Sequence, residues 1–251
     1  MTGDNPVSPP ARVELRMENV VAGYLPGHPV LRGVTLRAAP GKLTAVLGPN
    51  GAGKSTVLKV LSGFLVPVGG QVTANGTDIA PLPAHRHLEL GIGLLPQDRS
   101  VFPELTVVEN LELGAWLWRG DRTRLRRGVE AALGRYPALT DFRNRPAGSL
   151  SGGQQRMLEI ARLLVTGPNA LLIDEPSAGL SPIVATQVYR ELATLKREGR
   201  TILLVDQDVR AAIEIADYVY VLSSGRNDAE GDHSAFEEGG LGAMVRGWLG
   251  V

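Results

Sequence analysis

The chain has 251 residues, enough for one substantial core with a smaller inserted lobe. Basic and acidic residues balance at 26 each, so no global field favours nucleic acid or an anionic membrane surface. With no cysteine, disulfides, thiolate metal sites and cysteine nucleophiles are excluded. Residues 1–12 hold Pro6, Pro9 and Pro10 without an apolar run, which reads as a loose tail rather than a secretory leader. Strands are predicted at 13–21, 30–38 and 43–47, with Pro40-Gly41 as the turn before the third. That third strand runs into Gly48-Pro49-Asn50-Gly51-Ala52-Gly53-Lys54-Ser55-Thr56. Gly48, Gly51 and Gly53 let backbone N–H groups curl around phosphates, Lys54 neutralises the outer two, and Ser55 offers a hydroxyl to magnesium. A nucleoside triphosphate is the expected ligand. A helix follows, with Val57, Leu58, Val60 and Leu61 on one side until Gly63, and 69–79 reads as a hairpin with Asn75-Gly76 at its tip.

From about 107 to 133 the pattern changes. Leu111, Trp116, Leu117 and Leu125 lie among Arg119, Arg122, Arg124, Arg126 and Arg127, which reads as an inserted helical lobe with a solvated basic face. The last third alternates regularly: helix at 154–165, strand at 170–173, helix at 182–197, strand at 201–205 and helix at 209–216. This is a parallel α/β pattern whose apolar strands end in polar residues, Asp174-Glu175 and Asp206-Gln207-Asp208. Leu241, Met244, Val245, Trp248 and Leu249 follow helical spacing, so the C-terminal stretch is expected to pack on the core. No stretch approaches a membrane span in length, so membrane association is expected only through a partner.

Leu171-Leu172-Ile173-Asp174-Glu175-Pro176 complements the phosphate loop with two carboxylates. Asp174 would hold magnesium through its water shell while Glu175 orients and polarises the attacking water. Leu150-Ser151-Gly152-Gly153-Gln154-Gln155-Arg156 places a serine cap and two glycines at the positive end of a helix whose apolar face is Met157, Ile160, Ala161 and Leu164. With this string in place, the sequence from about 13 to 231 resembles the ATP-binding subunits of ABC transporters. The resemblance implies a phosphate-loop NTPase of the ABC ATPase type: an α/β fold with a mixed sheet core, an N-terminal antiparallel β-subdomain and an inserted α-helical subdomain. The expected division is a tail at 1–12 and one domain at 13–251, with core 13–95 and 160–251 and lobe about 96–159.

The resemblance also implies roles for individual residues. Ser151, Gly152, Gly153 and Gln154 would act in trans, with Ser151 and Gly153 binding the terminal phosphate held by a second ATP-binding subunit, so hydrolysis would require dimerisation. Tyr24 aligns with the aromatic that stacks on adenine, Gln97 with the glutamine that reaches magnesium and senses the membrane partner, and 177–181 with the segment that communicates between two ATP sites. Most of the family has a histidine where this chain has Gln207. An amide positions phosphate without carrying a proton, so turnover is expected to vary little between pH 6 and 8. His85 and His87, two histidines without a third ligand, read as ordinary surface residues.

The stretch from Pro96 through Leu111, with the missing histidine, is similar to the second ATPase of branched-chain amino-acid importers; urea and amide importers share this loop. The expected function is ATP hydrolysis energising such an importer, the other readings being a urea or amide importer or a weakly hydrolysing nucleotide sensor. Implied with it are ATP and Mg2+ as ligands and transmembrane permease subunits as partners. A second ATP-binding subunit, sister or identical, and indirectly an extracytoplasmic binding protein are implied too, with no nucleic acid and a peripheral place on the cytoplasmic membrane face. Phe102, Leu105, Trp116 and Trp118 are the candidates for lining the groove between core and lobe where a membrane-domain helix would dock.

Overall fold

The computed structural model describes residues 12–237, so residues 1–11 of the expected tail and the C-terminal stretch from Leu241 to Leu249 lie outside the described residues. Two sheets form the core. The first is antiparallel, built from β1 (Leu15–Ala22), β2 (Leu31–Ala38) and, after β3 (Leu43–Leu47) and α1 (Lys54–Leu61), from β4 (Gly69–Ala74) and β5 (Thr77–Asp78). Its strand order is β2-β1-β4-β5. Asn75 and Gly76 close the β4–β5 hairpin at φ 49° and 78°, the pair of left-handed residues a two-residue turn requires.

The chain then continues through α2 (Ala84–Glu89), β6 (Ile92–Leu95), α3 (Val107–Gly114), α4 (Arg122–Arg135), α5 (Pro137–Thr140), α6 (Gly152–Leu164), β7 (Ala170–Asp174), α7 (Pro182–Arg197), β8 (Thr201–Val205) and α8 (Val209–Ile215). It ends in β9 (Tyr218–Ser223), β10 (Arg226–Asp232) and α9 (His233–Glu237). The second sheet has the order β10-β9-β3-β8-β7-β6, parallel throughout except for β10. Strand β6 and the β9–β10 hairpin extend it beyond the strands read from the sequence.

Burial on both faces explains the unbroken apolar strands. Leu43, Ala45, Leu47, Leu171, Ile173, Ile202 and Leu204 pack on one side with α3, α4, α6 and α7, while Val46, Leu172, Leu203 and Val205 pack on the other with α1 and the antiparallel sheet. A pair of hydrogen bonds between Asn227 and Thr35 of β2, 2.9 and 2.8 Å, joins the two sheets at one edge. The arginines of the lobe, Arg119, Arg122, Arg124, Arg126 and Arg127, are all exposed, as a solvated face requires.

Strand order and register determine what meets at the carboxyl ends. Val46 of β3, Val205 of β8 and Asp174 of β7 lie in one register line, and Leu95 of β6 pairs with Ile173 beside it. The loops that follow β3, β8, β7 and β6 therefore stand in a row: phosphate loop, Gln207, Asp174-Glu175, Gln97.

Candidate functional site

That row opens into a cleft of about 400 Å³ lined by Val30, Asn50, Gly51, Gly53, Lys54, Ser55, Thr56, Gln97, Glu175 and Gln207. The loop's shape follows from its glycines. Gly48, Gly51 and Gly53 have φ of 145°, 80° and 101°, and a Cβ on Gly48 would collide with the Leu222 carbonyl oxygen. The cradle thus rests on left-handed backbone that side-chain-bearing residues rarely adopt and, at Gly48, on space that no side chain can enter. Lys54 curls over the loop, donating to the carbonyls of Gly48 (2.9 Å) and Pro49 (3.2 Å). Burial lowers its pKa, while Glu175, Asp174 and Asp206 oppose the shift by stabilising the cation.

Opposite stand the two acids. The Ser55 hydroxyl donates to Asp174 Oδ1 at 3.2 Å, and burial raises the Asp174 pKa against that bond. Glu175 is buried at φ 40°, a left-handed backbone that costs a glutamate about 1–3 kcal/mol. Its N–H is tied to the Val205 carbonyl of the neighbouring strand, 2.8 Å. Two amides hold its carboxylate: Gln207 Nε2 donates to Oε1 and Gln97 Nε2 to Oε2, each at 2.7 Å. This pairing is the row in miniature, since the strands bearing the two glutamines flank the strand bearing Glu175.

Tyr24 sits in the loop after β1, more than half exposed. Its hydroxyl lies 3.4 Å from Thr56 Oγ1 and its ring 5.1 Å from the Lys59 ammonium. An open aromatic face beside the phosphate cradle suits a flat, base-sized ligand. Ser151 caps α6 in a reciprocal box with Gln154, whose N–H donates to Ser151 Oγ and whose side-chain oxygen accepts from the Ser151 N–H. Ser151 itself is exposed. Ser151, Gly153 and Gln154 border a separate depression with Tyr136, Met157, Val184 and Gln187, and none of the four signature residues lines the phosphate cleft of this chain.

Two expectations are corrected. His87 is not a surface residue: it is buried under α2, with ring nitrogens 3.0 and 3.1 Å from the carbonyl oxygens of Leu61 and Leu82. The groove between core and lobe is lined by Phe64, Leu88, Leu94, Leu113 and Arg162, among others, and not by the four proposed residues. Leu105 and Trp116 border a second depression on the lobe, Phe102 stands half exposed beside Arg162, and the Trp118 ring lies 4.0 Å from the Arg124 guanidinium. Beside Gln207, burial pushes Asp206 up to about 6.

Several residues that shape the site gave no signal in the sequence. Arg156 on α6 is buried and donates to the carbonyls of Pro176 (2.7 Å), Glu175 (3.3 Å) and Pro96 (3.3 Å), and to Glu159 (2.8 Å). Glu159 in turn accepts from the N–H and hydroxyl of Ser100, which Arg162 also contacts. One helix thereby ties the loop of Gln97 to the loop of Glu175. An Arg and a Glu three apart on a helix read as a solvent-face pair. Only the packing reveals them as a hub.

A family profile described as ABC transporter matches residues 31–178. The chain is 42% identical over 231 residues to a probable branched-chain amino acid transport ATP-binding protein LivF from Archaeoglobus fulgidus, covering 89% of this chain and 97% of that one. It is 36% identical to the high-affinity branched-chain amino acid transport ATP-binding protein BraG from Pseudomonas aeruginosa, covering 82% and 88%. Among solved structures, an ATP-binding cassette of an ABC transporter in its ADP conformation superposes with a TM-score of 0.81 at 29% identity, covering 94% of this chain and 98% of that one.

Proposed function

The chain belongs to the ABC transporter family and is an ATPase, and from that premise we propose that it energises import of branched-chain amino acids. Similarity along nearly the whole length of relatives named for that transport supports the substrate class. Selectivity itself would reside in a binding protein and in membrane subunits. Among the described residues no helix is long and apolar enough to cross a membrane. The chain would therefore sit on the cytoplasmic membrane face through its permease subunits.

The observation that carries the catalytic reading is the Glu175 carboxylate, held between two neutral amides across the cleft from Lys54 and Ser55. Two amide N–H donors aim the carboxylate without bringing a competing acid or base to it. Tyr24 would stack on adenine. The N–H groups of 48–56, with Asn50 and Thr56, would cradle the phosphates, and Lys54 would neutralise the outer two. Ser55 and Asp174 bring hard oxygen donors within 3.2 Å of each other beside the cradle, a donor set that fits Mg2+. Ser55 and Gln97 would hold it directly and Asp174 through water. Bound there, the ion supplies charge neutralisation between the outer phosphates. Glu175 orients and polarises the attacking water, and Gln207 turns its amide from Glu175 to the terminal phosphate.

The exposed cap at Ser151 completes a second subunit's site rather than its own. Ser151, Gly152, Gly153 and Gln154 would close over the ATP of a sister ATPase, whose equivalent cap closes over this chain's loop. The test is ATP hydrolysis and transport by the chain reconstituted with its permease subunits and binding protein. Glu175→Gln is expected to retain ATP binding and to lower turnover by at least about 100-fold, the scale of a lost general base. Near-normal turnover in that variant overturns the catalytic reading, and uptake that ignores leucine, isoleucine and valine overturns the substrate class.

A further inference from the structure

The Glu175 carboxylate is one point on a closed ring of contacts. Ser177, two residues on, places its hydroxyl 2.9 Å from the Tyr189 hydroxyl on α7. Tyr189 donates to Asp206 Oδ2 at 2.8 Å. The other oxygen, Oδ1, accepts the N–H groups of Gln207 (2.8 Å) and Asp208 (3.1 Å), and the Gln207 side chain returns to Glu175. Both central members are buried, Tyr189 at 7% and Asp206 at 2% exposure.

Direction follows from donor chemistry. A carboxylate only accepts, so the Tyr189 proton points to Asp206 and its oxygen is left to accept from Ser177. Burial and the Asp206 charge both raise the Tyr189 pKa, so the phenol stays protonated and keeps donating. Asp206 thus spends Oδ1 on shaping the turn of Gln207 and Oδ2 on the phenol, which is its link to the segment after Glu175. Phenylalanine would fill the same apolar space on α7 and lose only that link.

We propose that Tyr189, with Asp206, is a positioning residue that couples the segment 177–181 to Gln207, so that a displacement of Ser177 re-aims the amide facing Glu175. The proposal rests on the reading that Glu175 and Gln207 act on ATP. Segment 177–181 is the part of this ring that leads away from the chain's own cleft, since none of its residues lines it. Movement there reaches Gln207 through Tyr189 instead of through the nucleotide.

The experiment measures kcat and KM for ATP in the assembled transporter carrying Ser177→Ala, Tyr189→Phe or both, beside Glu175→Gln. Tyr189→Phe is expected to lower kcat about fivefold, the loss of one net hydrogen bond, with KM within about twofold of the parent. Because Ser177 acts through Tyr189, the double variant is expected to be no slower than Tyr189→Phe alone. An unchanged kcat, a KM that rises as kcat falls, or losses that multiply each overturn the coupling. Normal turnover in Glu175→Gln would instead overturn the reading beneath it, so the two failures are distinguishable.

Discussion

Replacing Arg156 with methionine removes a buried cation at the junction of three loops. The guanidinium satisfies the carbonyls of Pro96, Glu175 and Pro176 and pairs with Glu159 at 2.8 Å, with 6% and 1% of the two side chains exposed. Methionine fills most of the volume but leaves Glu159 buried with only Ser100 as donor, and breaking such a pair costs about 3–5 kcal/mol. For a chain of this size that is a drop in Tm of about 10 °C, read by thermal denaturation with and without ATP. Arg156→Met/Glu159→Gln removes the stranded charge and is expected to recover about half of the loss. Below its melting temperature the single variant should bind ATP yet turn it over more slowly, because the carbonyls of Glu175 and Pro176, at the strained Glu175 backbone, have lost their donor. A single variant melting within about 2 °C of the parent, or a double variant less stable than the single, refutes the hub.

Other outcomes follow from the same geometry. Gly48→Ala places a methyl group against the Leu222 carbonyl at φ 145°, and is expected to cost at least about 1–3 kcal/mol and to abolish nucleotide binding, seen as loss of the ATP-induced rise in Tm. Tyr24→Ala should weaken ATP binding by roughly tenfold or more through lost stacking, measured by titration calorimetry, with Tm unchanged because the ring is exposed. Asp206 has its folded-state pKa raised by burial from 3.8 to about 6, so the folded chain holds a proton the unfolded chain releases. Its contribution to stability is complete below about pH 4 and is lost as pH rises through 6, about 3 kcal/mol in all. Chemical denaturation should show the parent gaining on Asp206→Asn by about that amount between pH 7 and pH 4, and a constant difference would sink the assignment.

Local signals were legible where backbone chemistry is local. The glycine spacing of 48–53, the Ser151 cap answered by Gln154, the Asn75-Gly76 turn and the apolar runs of β3, β7 and β8 all determine structure within a few residues of themselves. Longer-range facts were not. Strand β6 is four residues long and contains Gly93, where any Cβ would strike Leu163, so neither length nor alternation marks it as a strand. His87 reads as polar and becomes core only because two carbonyls from α1 and the turn before α2 converge on it. Gln97 was legible as a site residue, but its grip on Glu175 depends on β6 lying beside β7. Asp206 was legible only as the polar end of a strand; its partners come from α7 and from the turn it shapes.

The left-handed backbone at Glu175 sets folding and turnover against each other. Glycine there would relax the strain and gain the fold about 1 kcal/mol or more, while deleting the carboxylate on which the cleft converges. A laboratory selection that rewarded only thermal stability or yield would therefore drift toward inactive chains at this position. Any stabilised descendant of this protein must be screened on phosphate release, since its melting curve would rank the dead variant first.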